Sequence, residues 1–246
     1  MKYLLAFLVS LVSTNSYSLK TNSYLPEKID TNNLFLVFPG LNGIDKNVNN
    51  LVRNVRDSDK QHNLNRLCHI CDWSKDVNIF CAGDVALGAA NVVTEELINM
   101  KGGEKLNLHL VGISAGAMAA SELSVFLKDF NKERYNIHLT LLDPLTLFRF
   151  NKNYGIHEFG KRANFCEQYL NNNDFVPFTN KAIENAYVND ITFSKSKKDG
   201  LVNKDVNGHD WPLIYYSNNW KDKTDPRNFY AVHEVLKRGD IIYIYE

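Results

Sequence analysis

Along this chain, short runs of consecutive apolar residues alternate with longer stretches whose apolar positions recur every three or four residues. Leu34-Phe35-Leu36-Val37-Phe38 is unbroken and stops at Pro39-Gly40. A short apolar run bounded by turn residues predicts a strand buried on both faces. Leu67 to Trp73, Leu106 to Gly112 and Ile137 to Leu142 are further expected strands, with weaker candidates at Ala163 to Leu170 and Tyr187 to Phe193. A polar, helix-compatible stretch runs from Asp45 to Arg56. Ala82, Val85, Ala86, Ala89, Val92, Val93, Leu97 and Met100 then build one apolar helix face, and Gly102-Gly103 ends it. Ser114 to Lys128 carries a further helical pattern directly after a strand. Repeated strand–helix alternation predicts an α/β fold, a mostly parallel sheet with helices on both faces. Neither a repeat nor a linker divides the chain, and the polar, Lys-rich Ser194 to Asn207 reads as a solvated loop.

The amino terminus follows a different rule. Lys2 supplies a positive start, Tyr3 to Val12 is apolar except for Ser10, and Ser16-Tyr17-Ser18 is a small-x-small site. These are the three regions of a secretory signal peptide. We expect cleavage after Ser18, a mature domain over residues 19–246, and a secreted protein. The apolar run falls well short of the roughly 20 residues needed to span a bilayer, so no stable membrane insertion is expected. In an oxidising compartment the four cysteines, Cys68, Cys71, Cys81 and Cys166, allow three disulfide pairings. Cys68 and Cys71 would face opposite sides of a strand and are not expected to pair with each other. Cys68-His69-Ile70-Cys71 lacks the second half of a zinc site, so neither a metal nor any other cofactor is expected. Lys and Arg number 28, as do Asp and Glu. A formally neutral chain lacks the basic footprint of a nucleic-acid binder.

The sharpest chemical signal is Gly112-Ile113-Ser114-Ala115-Gly116, a G-x-S-x-G sequence between a strand and a helix of small residues. Such a turn exposes a serine hydroxyl above the sheet edge, while its glycines let strand and helix approach. Ser114 is the expected nucleophile. A serine needs a base, and the base needs an orienting group, in the chain order Ser, acid, His. Of the later histidines, His138 alternates within an apolar strand, His157 fits poorly with either acid, and His233 sits in a helix-like surface pattern. His209, in Asn207-Gly208-His209-Asp210-Trp211-Pro212, lies in a turn after the last candidate strand and is the expected base. Asp143, ending the strand Ile137 to Leu142, and Asp174, in Asn173-Asp174-Phe175-Val176-Pro177, compete for the acid role. Both fit the carboxyl ends of strands, where open α/β sheets build sites. Asp143 is preferred; Asp210 is too close in sequence to the base. An oxyanion hole needs two fixed N–H groups. Ala115 would supply one and Leu41, after the first strand, the other, ahead of Asn42.

These blocks together resemble the secreted lipases of the pancreatic-lipase type, in the α/β-hydrolase superfamily. Val37-Phe38-Pro39-Gly40 resembles the oxyanion block, Ile70-Cys71-Asp72-Trp73 a strand ending in Asp-Trp, and Leu141-Leu142-Asp143-Pro144 the acid block. The elbow, and His209 with Tyr215 and Tyr216 downstream, complete the set, over roughly residues 34 to 216. The resemblance implies an α/β-hydrolase fold and puts the acid on Asp143. The chain departs from the family at Ile113, Ala115 and Pro39 and has no counterpart of the long lid or the carboxy-terminal β-domain. Asn173-Asp174-Phe175-Val176-Pro177 also resembles the acid block of fungal-type lipases.

The function expected is ester hydrolysis, with an ester or lipid as the substrate and an acyl-enzyme intermediate. A lipase-fold protein that binds lipid or a protein partner without turnover is the alternative, and acyl transfer or thioesterase chemistry a third. Leu145, Leu147, Phe148, Phe150 and Tyr154 would either line an acyl pocket, act as a small lid, or pack on the core. The sequence does not fix the oligomeric state.

Overall fold

In the computed structural model, the described residues are 23–75, 77, 81–100, 104–194, 208–220 and 236–245. The expected signal segment, Gly102-Gly103, almost all of the Lys-rich loop and His233 lie outside them. In chain order the elements are β1 Asn33–Phe38, α1 Lys46–Gln61, β2 Leu67–Ile70, α2 Ala82–Asn99, β3 Leu106–Ile113, α3 Gly116–Asn131 and β4 Tyr135–Leu142. There follow α4 Tyr154–Glu158, β5 Phe165–Leu170, β6 Tyr187–Asp190, a 3-10 turn Gly208–Asp210, α5 Trp211–Asn218 and β7 Ile241–Tyr243. The strands form one sheet in the order β2-β1-β3-β4-β5-β6-β7, and every neighbouring pair is parallel. The α/β fold expected from the sequence is the fold observed.

Alternation along each strand splits the core into two layers. Leu34, Leu36 and Phe38 join Leu108, Leu110 and Leu139 beneath α2 and α3. Phe35 and Val37 join Val111, Ile113 and Leu142 beneath α1 and α5. Helix α1 buries Val48, Leu51, Val52 and Val55, one stripe at helical spacing. Its start is fixed by Asp45, whose carboxylate accepts the Val48 N–H at 2.8 Å. Ala86, Ala89 and Ala90 on α2 and Ala119 and Ala120 on α3 are small enough to lie close over the sheet.

Several elements differ in extent from the sequence reading. β2 ends at Ile70 rather than Trp73, because its partner β1 runs into Pro39, which has no N–H to continue the ladder. Helix α1 runs on to Gln61, and α3 runs Gly116–Asn131. Helices α4 and α5 and strand β7 are too short to give a clear period and went unread.

Cys68 lies in the layer under α1 and Cys71 in the layer under α2, on opposite faces as expected. No disulfide is formed among the described residues, and Cys68, Cys71 and Cys166 are buried thiols. Cys166 lies on β5, four strands from β2. That is about 19 Å at roughly 4.8 Å per strand, against the roughly 4.4–6.8 Å between Cα atoms that a disulfide needs.

The strand order also locates a site. From β1 the chain goes outward to β2 and then crosses back to β3 and beyond. The reversal opens a crevice between the carboxyl ends of β1 and β3, the place where open α/β sheets bind ligands.

Candidate active site

Ser114 stands at that crevice, between the end of β3 and the start of α3. Its backbone is left-handed, φ 51°, a conformation that costs a non-glycine residue roughly 1–2 kcal/mol. The surroundings hold it there. Its N–H donates to the Leu142 carbonyl at 3.0 Å, and its own carbonyl accepts from Ala117 at 3.1 Å and from Leu145 at 3.0 Å. Both flanking glycines are required by contact. A Cβ on Gly112 would lie 2.6 Å from the Ala117 Cα, and one on Gly116 would lie 2.1 Å from the Phe38 carbonyl oxygen. The second glycine thus lets helix α3 abut the end of β1.

That end of β1 carries the loop assigned to the oxyanion hole. Gly40 lies against the serine, its would-be Cβ 3.3 Å from the Ser114 Cβ. A turn closed by the Gly43 N–H on the Gly40 carbonyl, 3.0 Å, shapes the loop, and the Trp73 indole N–H donates to the Pro39 carbonyl at 2.9 Å. Among the described residues the amides of Leu41 and Ala115 have no protein acceptor. Trp73 was noticed in the sequence only through the family resemblance; its part in clamping Pro39 was not legible there.

His209 lies in the 3-10 turn that leads into α5, with a side chain 14% exposed. The Asn171 side-chain amide holds this turn by donating to the Gly208 carbonyl at 2.6 Å. The His209 Nδ1 faces two carboxylates at once, Asp174 Oδ2 at 2.8 Å and Asp143 Oδ2 at 3.2 Å. Carboxylates accept, so Nδ1 carries the proton and Nε2 is the basic nitrogen of the neutral ring. Both acids weighed from the sequence therefore reach the same atom.

The two carboxyls differ in their other contacts. Asp143 follows β4 directly with a left-handed backbone, φ 45°, and its Oδ1 accepts the Asn171 N–H at 3.2 Å. Burial pushes its carboxyl up to about 7, against the lowering pull of His209 and the Asn171 amide. Asp174 follows β5 and accepts the Thr179 hydroxyl at 2.5 Å and the Val176 N–H at 3.0 Å. Burial would raise it too, but the Thr179 and Val176 donors, the His209 ring and a hydrogen bond from Asp143 outweigh it and hold it below the usual range. For His209 burial favours the neutral ring, but the two carboxylates outweigh it and raise its affinity for a proton. The sequence offered Asn171 and Thr179 only as unremarkable polar residues near Asp174.

The other histidines lie elsewhere. His157 pairs with Glu184 at 3.0 Å on the surface. His138 on β4 stacks on His109 of β3, rings 4.0 Å apart and 11° from parallel, beside Glu167. Ligand atoms of His109, His138 and Glu167 are close enough to suggest an ion, as are those of the Asp143–Asp174–His209 group. Rings stacked nearly parallel direct their nitrogen lone pairs along separate planes, so an ion could lie in the plane of only one of them. A cavity of about 710 Å³ opens over that stack, lined by Asn33, Arg66, Asn107, His109, His138 and Tyr187 among others. It lies toward the amino ends of the strands and includes none of the residues around Ser114.

The segment after Asp143 divides. Leu145, Phe148 and Tyr154 pack on the core, while Phe150 is fully exposed. No helix among the described residues is long and apolar enough to cross a membrane. The fold and site together define an α/β protein whose parallel sheet carries, at its carboxyl edge, a serine on a strand-to-helix elbow and a histidine held by two aspartates. No family model and no curated protein matches the chain.

Proposed function

We propose that this chain is a secreted serine ester hydrolase of the lipase-like α/β-hydrolase type. The observation that carries the reading is the occurrence, at one edge of the sheet, of Ser114 on a left-handed elbow and of a part-buried histidine whose Nδ1 is held by carboxylates. A structural glycine turn needs neither. In this reading His209 Nε2 removes the Ser114 proton as Oγ attacks the ester carbonyl, and the Asp143–Asp174 side stabilises the imidazolium that forms. The Ala115 and Leu41 amides receive the oxyanion. The alkoxide leaves with the proton from Nε2, and water hydrolyses the acyl-enzyme by the same steps in reverse. No residue here requires a cofactor for that sequence.

An apolar acyl group as substrate is favoured by Phe150 and Phe175, both almost wholly exposed on loops that follow β4 and β5 at the edge where Ser114 lies. The test is labelling of the mature protein with a serine-directed phosphonate, together with turnover of p-nitrophenyl esters of increasing chain length. Labelling lost in Ser114→Ala, with turnover, supports the reading. Equal labelling of both proteins refutes Ser114 as nucleophile, and a protein that is neither labelled nor active supports the binding-only alternative. Export rests on residues 1–18, and a secreted product beginning at Leu19 would support it.

A further inference from the structure

Two carboxylates on one imidazole nitrogen are one more than the chemistry needs. Both are enclosed: the Asp143 side chain is 1% exposed and that of Asp174 0%. The charged groups facing them are few. Asp210 adjoins His209 on the same turn, is itself pushed up by burial and by Asp45 at the start of α1, and adds negative charge. Among the described residues neither Asp143 nor Asp174 pairs with a Lys or Arg, and His209 is the cation there that can offset them. A carboxylate oxygen of each and the His209 nitrogen lie within 4.8 Å of one another, and two buried like charges so close strongly disfavour double ionisation.

One Nδ1–H cannot fully satisfy both acceptors, and the distances rank them, 2.8 Å to Asp174 and 3.2 Å to Asp143. The remaining donors rank them the same way. Asp174 is also served by the Thr179 hydroxyl and the Val176 N–H, while Asp143 has the Asn171 N–H alone.

Building on the hydrolase reading, we propose that Asp143 and Asp174 act as one acid, sharing a single proton, with Asp174 carrying the charge that faces His209 and Asp143 standing beside it as a neutral carboxyl that can exchange roles with it. The site then holds one negative charge while the ring is neutral, and none in net when the ring takes the serine proton. With both carboxyls ionised it would hold two and then one. The shared proton stays within the pair and does not pass to the imidazole during turnover. Asp143 is in this sense a positioning residue that acts through Asp174 and His209. The titration of such a pair belongs to the pair and not to either residue.

The decisive measurement needs no variant and no turnover. In protein labelled with ¹³C at the aspartate carboxyls, one carboxyl of the pair remains protonated near neutral pH while its partner is ionised. If both ionise below about pH 5, as isolated carboxyls do, the proposal is overturned. Kinetics supply the second arm, with folding of each variant checked by its amide spectrum. Asp143→Asn and Asp174→Asn each retain one acceptor and lose about 10- to 100-fold in kcat/KM, while the double variant loses about 10⁴-fold, the cost of leaving the imidazole unoriented. Asp143→Asn keeps the site's one negative charge on Asp174, so the acid limb of the kcat/KM profile stays in place while the rate falls. If one single variant loses the full 10⁴ while the other matches wild type in rate and profile, a single acid serves and the dyad is wrong. A wild-type protein inert toward esters and phosphonate would sink the hydrolase reading alone, since the carboxyl titration stands without turnover.

Discussion

Replacing Gly116 with alanine tests how the elbow and the oxyanion loop are joined. The new Cβ would stand 2.1 Å from the Phe38 carbonyl oxygen, 2.5 Å from that of Pro39 and 2.7 Å from the Phe38 carbonyl carbon. All three are backbone atoms, so no rotamer relieves the overlap, and the end of β1 must retreat by about 1 Å to restore ordinary contact distances. That backbone is fixed from two other sides, by the register of Phe38 with Gly112 and by the Trp73 indole on the Pro39 carbonyl at 2.9 Å. Overpacking of this kind costs roughly 1–3 kcal/mol, and a weakened buried hydrogen bond adds about 1 kcal/mol. Helix propensity returns at most about 1 kcal/mol, less at a first-turn position. The net loss is about 1–3 kcal/mol, or a fall in Tm of roughly 2–12 °C at about 2–4 °C per kcal/mol. Activity should fall further than stability implies, because the same movement displaces the Leu41 amide, and loss of one oxyanion donor costs about 10²–10³ in kcat. Scanning calorimetry and ester turnover read the two effects separately. Gly83→Ala is the control, since the atoms nearest its Cβ would belong to the Phe148 ring, 2.6 Å away, on a side chain rather than on backbone. A Gly116→Ala protein with wild-type Tm and wild-type rate refutes the close approach, as would a Gly83→Ala protein that suffers more.

Three further outcomes are expected. Ser114→Gly removes the nucleophile but relieves a backbone held at φ 51°. The relief of roughly 1–2 kcal/mol exceeds the roughly 0.5–1 kcal/mol of added unfolded-chain freedom, so calorimetry should find an inactive protein at least as stable as wild type, and a clear drop in Tm contradicts this. The folded Asp143 carboxyl, up at about 7 through burial, holds a proton that the unfolded chain releases near pH 4. Its contribution to stability is therefore greatest below about pH 4 and declines as pH rises toward about 7. The raised His209 adds stability below about pH 6.5 that is likewise lost as pH rises, whereas Asp174, lowered, gives stability above about pH 4 that is lost on acidification. Tm should fall between pH 5 and pH 8, less steeply in Asp143→Asn, and an unchanged slope in that variant counts against the buried carboxyl. Burial pushes the Cys68 thiol up to about 12 and raises Cys71 and Cys166 as well. These three thiols should resist a disulfide reagent in the native protein and react on unfolding, and fast native reaction at any of them shows that its burial is wrong.

The parts of this fold that could be read from the sequence are those set by local pattern. A run such as Leu34 to Phe38 needs no partner to declare itself, because a strand buried on both faces is apolar throughout, and Leu106 to Gly112 declares itself by alternation, with Asn107 exposed between buried leucines. The elbow was legible for a related reason, since Gly112 and Gly116 answer steric demands that fall within a few residues or on the neighbouring strand. What was hidden depends on distant pairing. Nothing in Ile241-Ile242-Tyr243 tells that it pairs with Val188 to Asp190. The acid posed as a choice between Asp143 and Asp174 became a pair only because β4 and β5 are adjacent, which brings the residues after both strands to one nitrogen. Trp73, Asn171 and Thr179 act through individual hydrogen bonds, and a lone polar group leaves no periodic trace.

The carbonyl of Ser114 and the N–H of Leu145 tie the elbow to the segment that follows β4, and the Asp143 N–H to the Tyr169 carbonyl ties that segment to β5. The segments that follow three neighbouring strands are thus laced to one another close to the strand ends, while the crossover beyond residue 146 takes no part in these bonds. Evolutionary change has separate channels as a result. Insertions into the stretches after residue 146 or after residue 179 would reshape what the site admits without re-aiming Ser114 or His209. A lineage built on this scaffold could therefore diversify its substrates by lengthening loops, while substitutions that survive at the laced positions would be rare.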